Sequence, residues 1–170
     1  MKAIAFTILI IIFMSSSCAS QNFTAISKKI GENCEGNKGG RKSTTFHDIR
    51  LKLFNEGKLP FLKNGFDTVY LLESYEIESG LYAGLIWNSH GTLNYTYRKG
   101  YLEFPDQKNY TPYTIGLIEK WDTTMIKAEE KNAIELPQKY ITGICLVKQN
   151  GDISIRCIRF KEFFNIERDR

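Results

Sequence analysis

Apolar positions along the chain fall into three regimes. From Ile4 to Met14 they are continuous apart from Thr7. Phe23, Ile26 and Ile30, and later Phe46, Ile49, Leu53 and Phe54, recur at helical spacing. From Asp67 onward apolar residues alternate with polar ones or gather in short β-branched and aromatic runs, a strand signature.

The middle regime is read as a tether, 18–44, followed by a short helix over 45–56. Phe23, Ile26 and Ile30 suit one or two turns docked on the domain, but Gly31, Gly36, Gly39 and Gly40 interrupt longer order. For 45–56, Ile49, Leu51 and Leu53 also alternate with Arg50 and Lys52 as in a strand. The end signals decide for a helix, with Thr45 and Asp48 resembling a capping box and Gly57 a stop.

Four strands are then expected as a meander: Val69 to Ile77, Leu81 to Trp87, Leu93 to Tyr97 and Tyr101 to Phe104, with turns at Glu78–Gly80, Asn88–Gly91 and Lys99–Gly100. One long helix follows to about Asn132. Thr111 is its N-cap, Pro112 its first position, and Ile115, Ile118, Trp121, Met125 and Ala128 its apolar stripe. Asn150-Gly151 closes a C-terminal hairpin of 141–149 and 152–160. A two-residue turn places Ile144 opposite Cys157 and Cys145 opposite Arg156, with the cysteines on opposite faces, whereas a three-residue loop makes them diagonal neighbours. The predicted fold class is α+β: an antiparallel sheet, four-stranded meander plus C-terminal hairpin, packed against one long helix, in a single domain 45–170.

The N-terminal apolar block is too short to span a bilayer, which needs ~20 residues. With Lys2 before it and Ser15, Ser16, Ser17 and Cys18 behind it, residues 1–17 have the layout of a secretory signal peptide. The small residues followed by Cys18 resemble the processing site of bacterial lipoproteins. That resemblance implies cleavage before Cys18, diacylglycerol and palmitate-type acylation of its sulfur, and a membrane anchor in the cell envelope, on the periplasmic face or the outer membrane. Ordinary cleavage after Ser20, releasing a secreted or periplasmic chain, is the alternative.

Export changes the reading of the cysteines. Of Cys18, Cys34, Cys145 and Cys157, three remain once Cys18 is acylated, so one bridge forms at most. Neither hairpin register favours Cys145 with Cys157, which leaves Cys34 paired with Cys145 or Cys157. With no Cys-x-x-Cys spacing, no metal site or cofactor is expected. The net charge of +4, with both signs interspersed, lacks the concentrated basic face of a nucleic-acid binder. Lys38, Arg41 and Lys42 read as a solvated linker, or as a contact to anionic lipid or cell-wall polymer near the anchor.

Gly-x-Ser-x-Gly, His-Glu-x-x-His, a phosphate loop, an EF-hand loop and a dinucleotide fingerprint are all absent. The chain has two histidines. His47 beside Asp48 points away from it on any regular element and reads as cap chemistry, while His90 falls in an exposed turn. Glu73, Glu76 and Glu78 crowd the first hairpin, where they suit either acid–base work or the solvent face of an edge strand. Gly84, Trp87, Asn88, His90, Gly91, Thr92 and Leu93 resemble a single membrane-occupation-and-recognition-nexus repeat, and one copy does not make a repeat architecture. Asn22, Asn94 and Asn109 begin Asn-x-Thr triplets, which are incidental in a bacterial envelope. The aromatic content is the more suggestive feature: Tyr82, Trp87, Tyr95 and Tyr97, with His90, form the candidate binding surface.

The expected function is that of a small non-catalytic envelope lipoprotein that binds another protein or an envelope polymer. Two alternatives stand beside it. One is a small periplasmic hydrolase using His90 or the Glu73, Glu76 and Glu78 cluster, and the other is a protective inhibitor of an exported enzyme.

Overall fold

The computed structural model describes residues 23–34, 41–63, 66–132, 140–150 and 152–161. Cys18 and the signal segment lie outside the described residues. Six strands, β1 (Thr68–Glu76), β2 (Leu81–Asn88), β3 (Gly91–Arg98), β4 (Tyr101–Glu103), β5 (Tyr140–Gln149) and β6 (Asp152–Lys161), form one antiparallel sheet in the order β4-β3-β2-β1-β5-β6. Helix α1 covers residues 23–34. It is followed by α2 (Arg41–Asn55), α3 (Pro60–Lys63), α4 (Pro112–Glu119) and α5 (Thr123–Asn132).

Strand alternation divides the core in two. On the first face Val69, Leu71, Ile86, Ile144 and Leu146 pack against Phe23, Ile26 and Ile30 of α1, Phe46, Ile49 and Leu53 of α2, and Leu62 of α3. On the second face Leu72, Leu85, Ile141, Ile158 and Phe160 pack against Ile115 and Ile118 of α4 and Ile126 of α5. The fold is α+β with both faces of the sheet covered.

Turn chemistry fixes the strand order locally. Lys99 and Gly100 have φ of 50° and 91°, the paired positive values of a tight hairpin turn. Asn150, at φ 53°, opens the C-terminal turn. There Ile144 faces Cys157 and Cys145 faces Arg156, the register of the two-residue turn.

Three expectations are corrected. First, the single long helix is two. Asp122 N–H bonds Leu117 O at 3.0 Å and Trp121 N–H bonds Ile118 O at 3.0 Å, a closing motif that normally carries glycine where Trp121 sits at φ 51°. Asp122 then caps α5, its Oδ1 accepting from Met125 N–H at 2.9 Å. The break resets the helical phase, so Ile126 is buried while Met125 is 40% exposed.

Second, the one or two docked turns expected around Phe23, Ile26 and Ile30 are a longer helix, α1, which continues through Gly31 to Cys34 and places those three side chains under the sheet. Cys34 at its end is bonded to Cys157 of β6, across 123 residues of sequence. Third, the helix expected over 45–56 begins at Arg41, so Thr45 is inside it. Its end follows the expectation: Gly57, at φ 70°, donates to Phe54 O, and Lys58 N–H reaches Leu53 O.

Candidate functional site

Antiparallel pairing sets residues on adjacent strands side by side, and one such row is unusual in composition. Tyr140 pairs with Tyr75, Tyr75 with Tyr82, and Tyr82 with Tyr97, so four tyrosines from β5, β1, β2 and β3 stand abreast on the first face. Lys161 of β6 and Leu102 of β4 end the row. At a strand spacing of 4.7–4.9 Å the tyrosines extend over roughly 14 Å.

The rings touch and are tilted against one another. Tyr75 and Tyr82 have centroids 4.5 Å apart with planes at 44°, and Tyr82 and Tyr97 are 6.1 Å apart at 68°. Phe46 of α2 meets Tyr82 edge-on at 5.1 Å, fixing the middle of the row. Arg159 lies over the Tyr140 ring, its guanidinium carbon 4.8 Å from the centroid. All four tyrosines are half-buried.

One register step deeper the same face carries Thr142, Glu73, Gly84 and Tyr95. Here the chemistry is sealed. Arg50 Nε of α2 lies 3.3 Å from Glu73 Oε1, with both side chains at most 1% exposed. Tyr95 donates its hydroxyl to the same oxygen at 3.3 Å. Arg50 also donates to Phe46 O at 3.1 Å and Ser27 O at 3.5 Å, joining α2 to α1. Gly84 makes the arrangement possible, because a Cβ there would overlap the Tyr95 ring. Burial, then the charge of Glu73, raises the Tyr95 hydroxyl well above its ordinary pKa, with the Arg50 charge acting in opposition.

Hydroxyl partners separate the tyrosines into two sets. Tyr70 donates to Glu119 O, Tyr113 to Glu129 Oε1, Tyr110 to Ala83 O and Tyr95 to Glu73. Among the described residues, Tyr82, Tyr97 and Tyr140 form no such hydrogen bond and engage through their rings alone.

The surface expected from sequence is thus only partly assembled. Tyr82 and Tyr97 share the row, Tyr95 is buried beside it, and Trp87 belongs to the opposite face, donating its indole N–H to Glu119 Oε1 at 2.9 Å. His90 is exposed in the β2–β3 turn, which Asn88 Oδ1 holds by accepting from His90 N–H at 2.8 Å and Gly91 N–H at 3.0 Å. Tyr75 and Tyr140 were missed, since only strand register brings them in.

The acidic cluster does not exist as such. β1 is central, not an edge, so Glu73 is enclosed with Arg50. Glu76 is exposed and accepts from the Ser79 hydroxyl, while Glu78 lies in the turn. His90 is at the far end of β2 from that turn, roughly 25 Å away at ~3.4 Å per residue. His47 is not cap chemistry either. Its Nδ1 is 3.0 Å from Ser27 Oγ, but Ser27 is fully buried between helices and has no access to a substrate.

The remaining features are structural. Cys145 is a buried free thiol whose pKa burial raises, with Arg156 opposing. An open groove of about 720 Å³ beside α5 is lined by Thr123, Lys127, Lys131 and Cys157 among others. Lys127 there is already engaged, bonding Glu130 at 2.7 Å and Arg159 O at 2.8 Å. Glu130 Oε1 accepts from Lys161 N–H at 2.9 Å, so α5 caps part of the free edge of β6. Burial raises the Glu130 pKa, but these two hydrogen bonds and the ammonium charges of Lys127 and Lys161 outweigh it and hold the carboxyl below its usual range. Among the described residues no group of three or more His, Cys, Asp or Glu is placed to hold a metal ion. No helix among them is long and apolar enough to cross a membrane.

Fold and site together define an α+β domain that carries a cross-strand tyrosine row above a buried Arg50–Glu73–Tyr95 network. Comparison with protein families, with curated proteins and with solved structures gave no match.

Proposed function

We propose that this protein is a small non-catalytic lipoprotein of the bacterial envelope, anchored through Cys18 and binding an external partner on the tyrosine row of β5, β1, β2 and β3. The carrying observation is that row: half-buried rings locked by neighbours, with three hydroxyls that have no intramolecular partner among the described residues. The signal layout of residues 1–18 supports export. So does the Cys34–Cys157 pairing, since disulfides persist in oxidising compartments. Several acyl chains on one sulfur give durable attachment at ~0.8 kcal/mol per methylene, so anchoring requires nothing from the folded domain.

The hydrolase reading loses its residues, because His90 and the glutamates occupy opposite ends of β2 and Glu73 is sealed. Separate His90→Ala and Glu76→Ala variants are expected to leave the cellular phenotype unchanged.

Two measurements test the proposal. Intact mass of the mature protein is expected to show lipid on Cys18, and an unlipidated chain starting at Gln21 overturns the anchor. Purified mature protein in detergent is expected to co-sediment with the detergent-insoluble envelope fraction, where the acyl chains find no bilayer, and Tyr97→Ser/Tyr140→Ser to lose that association while keeping its far-ultraviolet circular dichroism. Association unchanged in the folded variant refutes the site.

A further inference from the structure

We infer that the row Tyr140–Tyr75–Tyr82–Tyr97 is the subsite for an extended acidic polysaccharide, laid across the strands with its carboxylates towards Arg159 and Lys161. This rests on the binding-module reading above and names its ligand class.

The direction of the row argues first. It runs perpendicular to the strands and crosses four of them, so a ligand following it cannot add to the sheet as a further strand. It must instead be a linear molecule that meets one phenol after another at strand spacing. A chain of sugar rings does this, each ring offering a C–H face to an aromatic edge and hydroxyls to a phenol. Tyrosine matches both, with large apolar area and one polar tip. The free hydroxyls of Tyr82, Tyr97 and Tyr140 among the described residues are the tips in question.

A nucleic acid fits less well. Planes tilted at 44° and 68° offer no parallel faces for stacked bases, and among the described residues the cations placed beside the row, Arg159 and Lys161, stand at its β6 end. Tyrosines also suit protein contacts, so a protein partner is the outcome in which the acidic gels fail while sedimentation persists.

Charge then selects among glycans. Arg159, exposed and stacked on Tyr140, and Lys161, directly opposite Tyr140, share the face of the row. Glu130, beside Lys161, is engaged by Lys127 and by the Lys161 N–H. Glu73, the acid on the neighbouring register step, is buried against Arg50. Among the described residues, the β6 end of the row therefore carries the Arg159 guanidinium, with Lys161 shared between this end and Glu130.

Affinity electrophoresis of the full mature protein through gels containing alginate, polygalacturonate or hyaluronate, with dextran as the neutral control, tests this. Retardation is expected in at least one acidic gel and not in dextran. Tyr97→Ser/Tyr140→Ser is expected to weaken it about tenfold, two aromatic contacts each worth about 0.5–1.5 kcal/mol. Arg159→Gln is expected to weaken it as well. Tyr97→Phe/Tyr140→Phe keeps the packing and removes only the hydroxyls, so it is expected to fall between wild type and the serine variant.

No retardation in any acidic gel overturns the inference, as does equal retardation in dextran. Unchanged retardation in both tyrosine variants also overturns it, because that result is charge alone. Should the acidic gels fail while tyrosine-dependent sedimentation with envelope fractions persists, the ligand class is wrong and the binding module stands. If both fail, both readings fall.

Discussion

Replacing Glu73 with Gln is the sharpest probe of how the sheet is locked to its first helical layer. The substitution keeps the shape and removes the charge that faces Arg50 at 3.3 Å. Arg50 cannot reach water, since its side chain is fully buried, and it also donates to the carbonyls of Phe46 and Ser27. The variant therefore removes the carboxylate charge at 3.3 Å from an enclosed guanidinium. Breaking one side of a buried ion pair costs about 3–5 kcal/mol. Against a total stability of about 5–15 kcal/mol that is a large fraction. For a chain of this size each kcal/mol moves the midpoint by ~2–4 °C, so thermal unfolding followed by circular dichroism is expected to shift down by about 6–20 °C.

The complementary experiment removes the whole network. Arg50→Met/Glu73→Leu/Tyr95→Phe replaces ion pair and hydroxyl with apolar groups, and is expected to recover most of the loss, because the attraction within a buried pair roughly offsets its desolvation. Urea unfolding of the two variants and wild type decides the matter. Glu73→Gln within ~1 kcal/mol of wild type, or a triple variant as unstable as the single one, would refute the reasoning.

Further outcomes follow from neighbouring contacts. Gly84→Ala is expected to destabilise by about 1–3 kcal/mol through overpacking against Tyr95, and pairing it with Tyr95→Val is expected to restore part of that in a double-mutant cycle. Cys157→Ser is expected to cost about 2–5 kcal/mol, given the 123-residue separation it reopens, while leaving Cys145 unreactive to thiol reagents until the protein unfolds. Because the folded pKa of Tyr95 is raised, the native state holds its proton more tightly than the unfolded chain. Stability is then expected to be complete below about pH 10 and to fall above it, with Tyr95→Phe flattening that alkaline limb in pH-dependent denaturation. Glu130 runs the other way: its lowered carboxyl contributes above its unfolded value and is lost on acidification, so Glu130→Gln is expected to reduce the acid dependence of stability slightly.

Local chemistry made much of this chain legible from sequence. Alternation of Leu93, Tyr95 and Tyr97, the Lys99-Gly100 and Asn150-Gly151 turns, and Gly57 as a helix stop depend on neighbours a few residues away, and sequence reports such neighbours directly. Strand period narrowed the C-terminal register to two choices, a two-residue turn or a three-residue loop, neither favouring a Cys145–Cys157 bridge, and the structure has the first.

What escaped depended on partners distant in sequence. Trp121 at a positive φ carries no local signal of its own. Its ring packs against the core of the second face, and that tertiary contact accompanies a conformation that costs a bulky residue energy. Glu73 looked like a surface acid until β5 paired with β1 and made its strand central, and Arg50 looked like the polar partner of an alternating pattern until α2 settled over Glu73. The tyrosine row is the clearest case. Its members sit at positions 75, 82, 97 and 140, and no spacing within the chain announces them, because the relation between them is hydrogen-bonded register across four strands. Sequence by itself determined the α+β class and the turns, set by short-range sterics and periodicity. The tertiary structure alone decided which side chains are sealed as charges in the core and which stand together at the surface, since both depend on chain segments that meet only when folded.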